Sequence, residues 1–515
     1  MNANHFFRRH ALRVFAVAAA VTLVSCAGSA PPTRTAVESS RASAAARPNI
    51  IVIVVDDMGY NDFSLVGGKI PTPNIDRLAQ SGARMTAGYV TAAVCAPSRT
   101  AILTGRQQTR FGFEFNPVGR DETSGLSLAE TTIAQTMKKA GYRTGMVGKW
   151  HIGQQPGYQP LDRGFDYFYG VLGGATPYLR SIGADDLHVV TAEDSRITRQ
   201  RLPLFDGRTP IDPEGYVTDL FTDKSIGFIG DRGVGDRGVQ EQQPFFLYLA
   251  YTAPHTPLQA PVKYLQRAGK GGSDFDRVYA GMFAALDDGV GRLIEHLKKT
   301  GQYDNTLVFF ISDNGCPSYV GGACSNKPLN GWKGYPWDGG LRVPYLISWP
   351  ARIKPQVRNE IVSSLDIAAT SAALAGITHP RAEGVNLVSV LDRPQQANGR
   401  TLFWRTGPNH VVRQGRWKMI VANKAAAPAA DDDLGRSLRP DGIAATVSPL
   451  GQWTLLYDLE KDPGEKVDVA AQNPQVVASL QRLFAEWDKD NVAPQWTSRR
   501  GITVEVNGAR AELFN

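Results

Sequence analysis

The chain has 515 residues, 42% of them hydrophobic and 20% charged, a balance that suits a soluble globular protein with a sizeable core and room for two domains. Its formal net charge falls from +7 to +4 if Arg8, Arg9 and Arg13 are removed with an N-terminal leader. That surplus is too mild to argue for a nucleic-acid partner.

The N-terminus opens on Arg8 and Arg9, becomes apolar from Ala16 to Val24 and ends in Leu23-Val24-Ser25-Cys26. The apolar run is well short of the ~20 residues a membrane span needs, so residues 1–25 read as a secretory leader. The Leu-Val-Ser-Cys ending resembles a bacterial lipobox, which would make Cys26 the lipidated first residue of the mature chain. Cleavage near Ala27 without lipid is the alternative, and either way the protein is expected in the periplasm or cell envelope. Residues 26–47, rich in Ala, Ser, Thr, Arg and Pro, read as a flexible tether.

From Asn49 to Val55 the chain is almost continuously β-branched, the pattern of a strand buried on both faces of a parallel sheet. Comparable runs recur at Tyr142–Val147, Phe245–Tyr251, Leu307–Ile311 and Val343–Ser348, with helical patterns at Asn74–Ser81, Ser127–Ala140, Arg277–Thr300 and Asp366–Ala375. The alternation predicts a large mixed, mostly parallel sheet sandwiched by helices over residues 48–391. Residues 153–240, rich in Gly, Pro and Arg, read as long loops facing a substrate. Short runs at Thr401–Arg405, His410–Val421 and Trp453–Asp458, then a helix from Pro474 to Asp490, predict a C-terminal α+β subdomain over residues 392–515.

Functional groups in such sheets gather beyond the carboxyl ends of the strands. Asp56-Asp57 follows the first run, Lys149 and His151 the second, His255 the third and Asp313-Asn314 the fourth. Cys316 and Cys324 lie close together in a Gly-rich loop, so an exported protein is expected to join them in a disulfide. Cys95 is then alone, and a lone thiol in an oxidising compartment is either a small buried hydrophobe or a site of chemistry. Pro97 suits the first turn of a helix and Gly105 its end, which places Cys95 at a helix N-terminus, where unpaired backbone donors favour an anion.

Cys95-Ala96-Pro97-Ser98-Arg99-Thr100, with Leu103-Thr104-Gly105-Arg106 after it, resembles the signature of the type I, formylglycine-dependent sulfatases of the alkaline phosphatase superfamily. Gly148-Lys149-Trp150-His151, Ala253-Pro254-His255 and Trp332-Lys333-Gly334 with Asp338-Gly339-Gly340-Leu341-Arg342 resemble further motifs of that family; Asp338 stands where Glu is commoner. A weaker match continues from Leu456-Tyr457-Asp458-Leu459 to Asp462-Pro463-Gly464-Glu465.

The resemblance implies that a formylglycine-generating enzyme oxidises Cys95 to an aldehyde, whose hydrate is the nucleophile, and that Arg99, Lys149, His151, His255 and Lys333 serve it. Lys149, His255 and Lys333 would also bind the sulfate, with His255 donating a proton to the leaving group. Asp56, Asp57, Asp313 and Asn314 would hold one metal ion; these hard oxygen donors suit Ca2+ better than Zn2+, with Mg2+ possible. The expected substrate is a sulfated carbohydrate, because Tyr319, Trp332, Tyr335 and Trp337 could stack on sugar rings; aryl or alkyl sulfates are the alternative. A phosphodiesterase or phosphonate monoester hydrolase of the same superfamily is the nearest rival activity.

Overall fold

The computed structural model describes residues 47–117, 124–189, 191, 202–230, 243–268, 271–393, 399–425, 436–438, 450–498, 500–506 and 508–514. The leader, Cys26 and the tether to residue 46 lie outside these described residues. Among them, no helix is long and apolar enough to cross a membrane.

β1 (Asn49–Val55) is β-branched from Ile50 onward, which favours extended backbone. Ile51, Ile53 and Val55 pack into one core and Ile50, Val52 and Val54 into another, so both faces of this strand are buried. Along the chain there follow α1 (Pro73–Gln80), β2 (Ala83–Tyr89), α2 (Cys95–Thr104), α3 (Ile133–Lys139), β3 (Arg143–Lys149), β4 (Tyr167–Val171), β5 (Leu187–Val189), β6 (Leu204–Asp206) and β7 (Thr209–Ile211). Next come α4 (Val217–Gly230), β8 (Phe245–Ala250), β9 (Leu258–Ala260), α5 (Val262–Ala268), α6 (Asp274–Lys299), β10 (Thr306–Ser312), α7 (Asp338–Leu341), β11 (Tyr345–Ser348), β12 (Gln356–Ser363), α8 (Asp366–Leu374) and α9 (Leu387–Asp392).

Ten of these strands form one sheet in the order β12-β2-β11-β10-β1-β8-β3-β4-β6-β7. The run from β10 to β4 is parallel; β11 lies antiparallel to both β10 and β2. Residues from α1, α4 and α6 fill the core on one face, and residues from α2, α3, α8 and α9 fill the other. The mixed, mostly parallel sheet between helices is the architecture the sequence predicts.

Several local expectations are corrected. The helix expected from Ser127 begins only at Ile133, because Thr132 and Gln135 form a capping box there. The region read as loops, 153–240, contains β4, the short strands β5 to β7 and the fourteen-residue α4, whose Phe221, Phe228 and Ile229 are buried against the sheet. Periodicity is weak there because the buried face carries Thr218, Thr222 and Ser225 beside Phe221 and Phe228, while the apolar Leu220 and Ile226 are only partly buried.

The C-terminal sheet comprises β13 (Thr401–Thr406), β14 (Asn409–Gln414), β15 (Trp417–Lys424), β16 (Arg436–Leu438), β17 (Gln452–Asp458), β18 (Arg500–Val506) and β19 (Ala509–Phe514). The single run expected at His410–Val421 is two strands, split by a turn at Gly415, whose φ is +56°. On one side of the sheet Val412, Met419 and Leu456 pack on Leu480 of α10 (Pro474–Asp488). On the other, Trp404, Ile420, Leu455 and Tyr457 share a core with Tyr89, Trp337 and Leu341 of the large sheet's side. Residues 47–515 accordingly form one compact unit.

Candidate active site

Strand register brings the functional loops to one end of the sheet. Val55 lies opposite Ser312, Val54 opposite Ala250, and Gly148 opposite Ala250, so the residues that follow β1, β3, β8 and β10 emerge side by side. Asp57 and His151 leave their strands with φ of +67° and +66°, a backbone conformation that side chains rarely adopt and that surrounding structure must hold.

Cys95 is the first residue of α2, preceded by extended Val94. The helix ends at Gly105, whose φ is +61° and whose N–H bonds Ala101 O at 2.8 Å. A Cβ at this glycine would stand 2.7 Å from the Ala368 methyl, so the αL turn and the packing on α8 both require glycine.

The buried Cys95 thiol donates to Asp56 Oδ1 at 3.4 Å and lies 4.0 Å from Asp57 Oδ1. Donor atoms of Asp56, Asp57, Cys95 and His255 all lie within 4.8 Å of one another. Lys149 Nζ is 2.6 Å from Asp56 Oδ2, Lys333 Nζ 2.7 Å from Asp57 Oδ1, and Arg99 Nε 2.7 Å from Asp313 Oδ2. Asn314 Nδ2 donates to Asp57 Oδ1 at 2.7 Å, and His255 Nε2 lies 3.8 Å from Asp57 Oδ2. His151 is partly buried, its Nδ1 out of solvent and lacking a hydrogen-bond partner, in the field of Lys149, Arg99, His255 and Lys333. The catalytic and metal-ligand candidates nominated from the sequence therefore lie in one cluster.

Three carboxylates face three cations, and the electrostatics follow. Burial raises the Asp57 carboxyl, but Lys333, His255 and Lys149 outweigh burial and hold it below the usual carboxylate range. Asp313 goes the other way: burial, then the neighbouring Asp56 charge, push it up to about 6. Burial, reinforced by Lys333, lowers His255 to about 3, and burial with Lys149 and Arg99 lowers His151 well below the ordinary imidazole value. Burial raises the Cys95 thiol, so the unmodified side chain is a neutral SH group.

A divalent metal fits this donor set. Asn314 Oδ1 is buried without a hydrogen-bond partner while its Nδ2 is engaged, and an orphaned buried acceptor beside three carboxylates is what a hard cation would satisfy.

Three contributors carried weaker sequence signals. Tyr319, noted only as an aromatic, directs its hydroxyl to Asp57 Oδ2 at 3.3 Å. Tyr178 OH donates to His255 O at 2.9 Å from a segment with no motif. Asp62 accepts from Gly59 N and Ser325 N, each at 2.7 Å, and from Tyr279 OH at 2.9 Å, tying the loop after β1 to the loop after β10. Its position three residues after Gly59 is a turn signal legible in the sequence. Trp337, expected to face sugar, is instead fully buried, its Nε1 3.3 Å from Tyr457 OH; Tyr319, Trp332 and Tyr335 remain partly exposed. The disulfide expected between Cys316 and Cys324 is present.

Comparison with known proteins places the chain in a family. The sulfatase family model matches residues 48–377. Arylsulfatase from Hemicentrotus pulcherrimus is 33% identical over 462 residues, covering 82% of this chain and 78% of that protein. Human arylsulfatase A is 32% identical over 472 residues, covering 85% and 87%. The crystal structure of Ps i-CgsB in complex with k-i-k-neocarrahexaose superposes with a TM-score of 0.73 at 32% identity, covering 88% of this chain and 95% of that one. Sulfatases generally use a formylglycine and a divalent metal. With the family model over residues 48–377 and relatives above 30% identity over most of its length, the chain belongs to the sulfatase family and is a hydrolase of sulfate esters.

Proposed function

We propose that the protein removes sulfate from a sulfated carbohydrate, with Cys95 matured to formylglycine as its nucleophile. The carrying observation is the Cys95 side chain, buried 3.4 Å from Asp56 at a helix start, among Asp57, Asp313 and the orphaned Asn314 oxygen. In this arrangement Cys95 Sγ stands in for an oxygen of the matured side chain. Hydrated, an aldehyde there supplies two hydroxyls, one to attack sulfur and one through which sulfate is later expelled. A Ca2+ ion held by Asp56, Asp57, Asp313 and Asn314 supplies positive charge that makes a hydroxyl more acidic and offsets the sulfate oxygens; Mg2+ is the alternative ion.

Lys149, paired with Asp56, and Lys333, paired with Asp57, bind the sulfate oxygens. Arg99, with His151, steadies the deprotonated nucleophile. His255 Nδ1 lies 2.6 Å from Thr256 O, an acceptor, so Nδ1 carries the hydrogen and the neutral ring leaves Nε2 free to take a proton. An anionic ester seated beside it offsets the Lys333 charge, raises its basicity and lets Nε2 protonate the departing alkoxide.

The carbohydrate assignment draws support from the partly exposed Tyr319, Trp332 and Tyr335 and from the likeness to Ps i-CgsB, which was crystallised with k-i-k-neocarrahexaose. The leader and Cys26 support export and a lipid anchor in the cell envelope, and the Cys316–Cys324 disulfide suits an oxidising compartment. Maturation requires a formylglycine-generating enzyme as partner.

Mass spectrometry of the peptide containing residue 95, joined to assays on sulfated oligosaccharides, an aryl sulfate and a phosphodiester, tests the reading. An aldehyde at residue 95, turnover of a glycan, and loss of turnover in Cys95→Ala are expected. Full activity of Cys95→Ala would refute the nucleophile, failure on every glycan would refute the carbohydrate, and preference for the phosphodiester would favour the rival activity.

A further inference from the structure

Lys418, on β15 of the C-terminal sheet, is fully buried although charged. Its Nζ lies 2.7 Å from Asp338 Oδ1 and 2.7 Å from Glu465 Oε1, and both carboxylates are also fully buried. Asp338 Oδ2 accepts from Tyr89 OH at 2.7 Å and lies 3.6 Å from Arg342. Glu465 Oε2 accepts the Asp338 backbone N–H at 2.7 Å, and its carbonyl accepts from Asn330 Nδ2 at 3.3 Å. Lys418 thus bridges the two carboxylates, and the Arg342 and Arg413 guanidiniums add positive charge around Asp338.

This group grips both ends of the segment that carries Lys333. Asn330 and Asp338 flank that lysine in sequence, and Gly339 N donates to Asn330 O at 2.6 Å, closing the segment into a loop. From the loop, Lys333 N donates to Cys316 O at 2.9 Å and Gly334 N to Ala93 O at 2.8 Å, two residues before Cys95. Gly315 N reaches Gly340 O at 3.1 Å, and a Cβ on Gly315 would stand 1.7 Å from Gly339 O, so the loop lies directly against the backbone after Asp313-Asn314. A shift of α7 would move the Lys333 ammonium relative to Asp57.

We propose that Glu465 and Lys418 are positioning residues for Lys333, so that the C-terminal sheet forms part of the catalytic apparatus. A buried ion group contributes little to stability compared with apolar residues of the same volume, but it fixes one arrangement of the segments it joins. Small misplacement of a catalytic group lowers rate steeply. The inference rests on the reading that Lys333 acts on the bound ester.

The test is a cycle in the full-length matured enzyme, with 4-nitrophenyl sulfate as the probe. Lys333→Ala, the charge-balanced pair Lys418→Met with Glu465→Gln, and the triple variant are compared with the parent. The pair is expected to lower kcat on the order of tenfold with little change in KM, and to cost nothing further once Lys333 is alanine. Multiplicative losses in the triple variant, or an unchanged kcat in the pair, would overturn the inference while leaving the role of Lys333 intact. An active Lys333→Ala enzyme would overturn both. Should the pair fail to fold, Glu465→Gln alone, which keeps an acceptor for the Asp338 N–H, carries the same comparison.

Discussion

Lys333, His255, Asn314 and Tyr319 all approach the Asp57 carboxylate. Such crowding of donors around one buried anion explains why Asp57 stays ionised, while at Asp313 burial and the Asp56 charge outweigh Arg99 and push the carboxyl up to about 6. His255, lowered to about 3 by burial and Lys333, is neutral until substrate arrives. Its removal should therefore be felt most where the departing oxygen most needs a proton. We expect His255→Ala to slow a sugar sulfate by 10²–10⁴-fold, roughly the worth of general acid catalysis, and an acidic phenyl sulfate by much less. Equal losses on both substrates, measured as kcat/KM, would exclude proton donation. At this scale Asp56, Asp57, Lys149, His151, His255, Asp313 and Asn314 were legible because they follow recognisable strands, and Cys95, Arg99 and Lys333 because of the motifs around them. Tyr178 was not, because its contact with the His255 carbonyl depends on a fold-back that no local pattern encodes.

Elements meet here through loops that clamp one another. Asp62 joins the loop after β1 to the loop bearing the disulfide, and burial raises its carboxyl to about 7. The unfolded chain releases that proton near the ordinary aspartate value of 3.8, so between these pH values the folded state is the more protonated. Its contribution is fully present below the unfolded pKa and is lost as pH rises through about 7. Asp62→Asn, which cannot ionise, should flatten the decline of the melting temperature between pH 4 and pH 8; the difference amounts to a few kcal/mol. An unchanged slope would show that Asp62 remains ionised throughout. Element boundaries were partly legible: the capping pair Thr132 and Gln135 could have placed the start of α3, whereas α4 escaped because Thr218, Thr222 and Ser225 on its buried face blur the apolar periodicity.

The whole molecule depends on two sheets sharing a core. A chain ending at residue 391 would expose Tyr89, Trp337 and Leu341, which pack against Trp404, Ile420 and Leu455. Such a fragment should be insoluble and inactive, and a soluble, active one would show that the C-terminal sheet is dispensable. Metal removal should also register globally. A ligand bound only by the folded state at a thousandfold its Kd stabilises by about 4 kcal/mol, so a strong chelator should lower the melting temperature by several degrees and abolish turnover together. Indifference of both after prolonged chelation would argue against the metal assignment.

Chemistry and fold class were determined by the sequence alone, because the Cys95 motif, the Asp and His pairs at strand ends and the β-branched runs are local in the chain and each carries its own physical signature. The tertiary structure decided which partners those groups have: Asp338 with Lys418 and Glu465, Asp57 with Tyr319, Trp337 in the core instead of the cleft. These contacts join residues tens to hundreds of positions apart, and only burial and strand register bring them together.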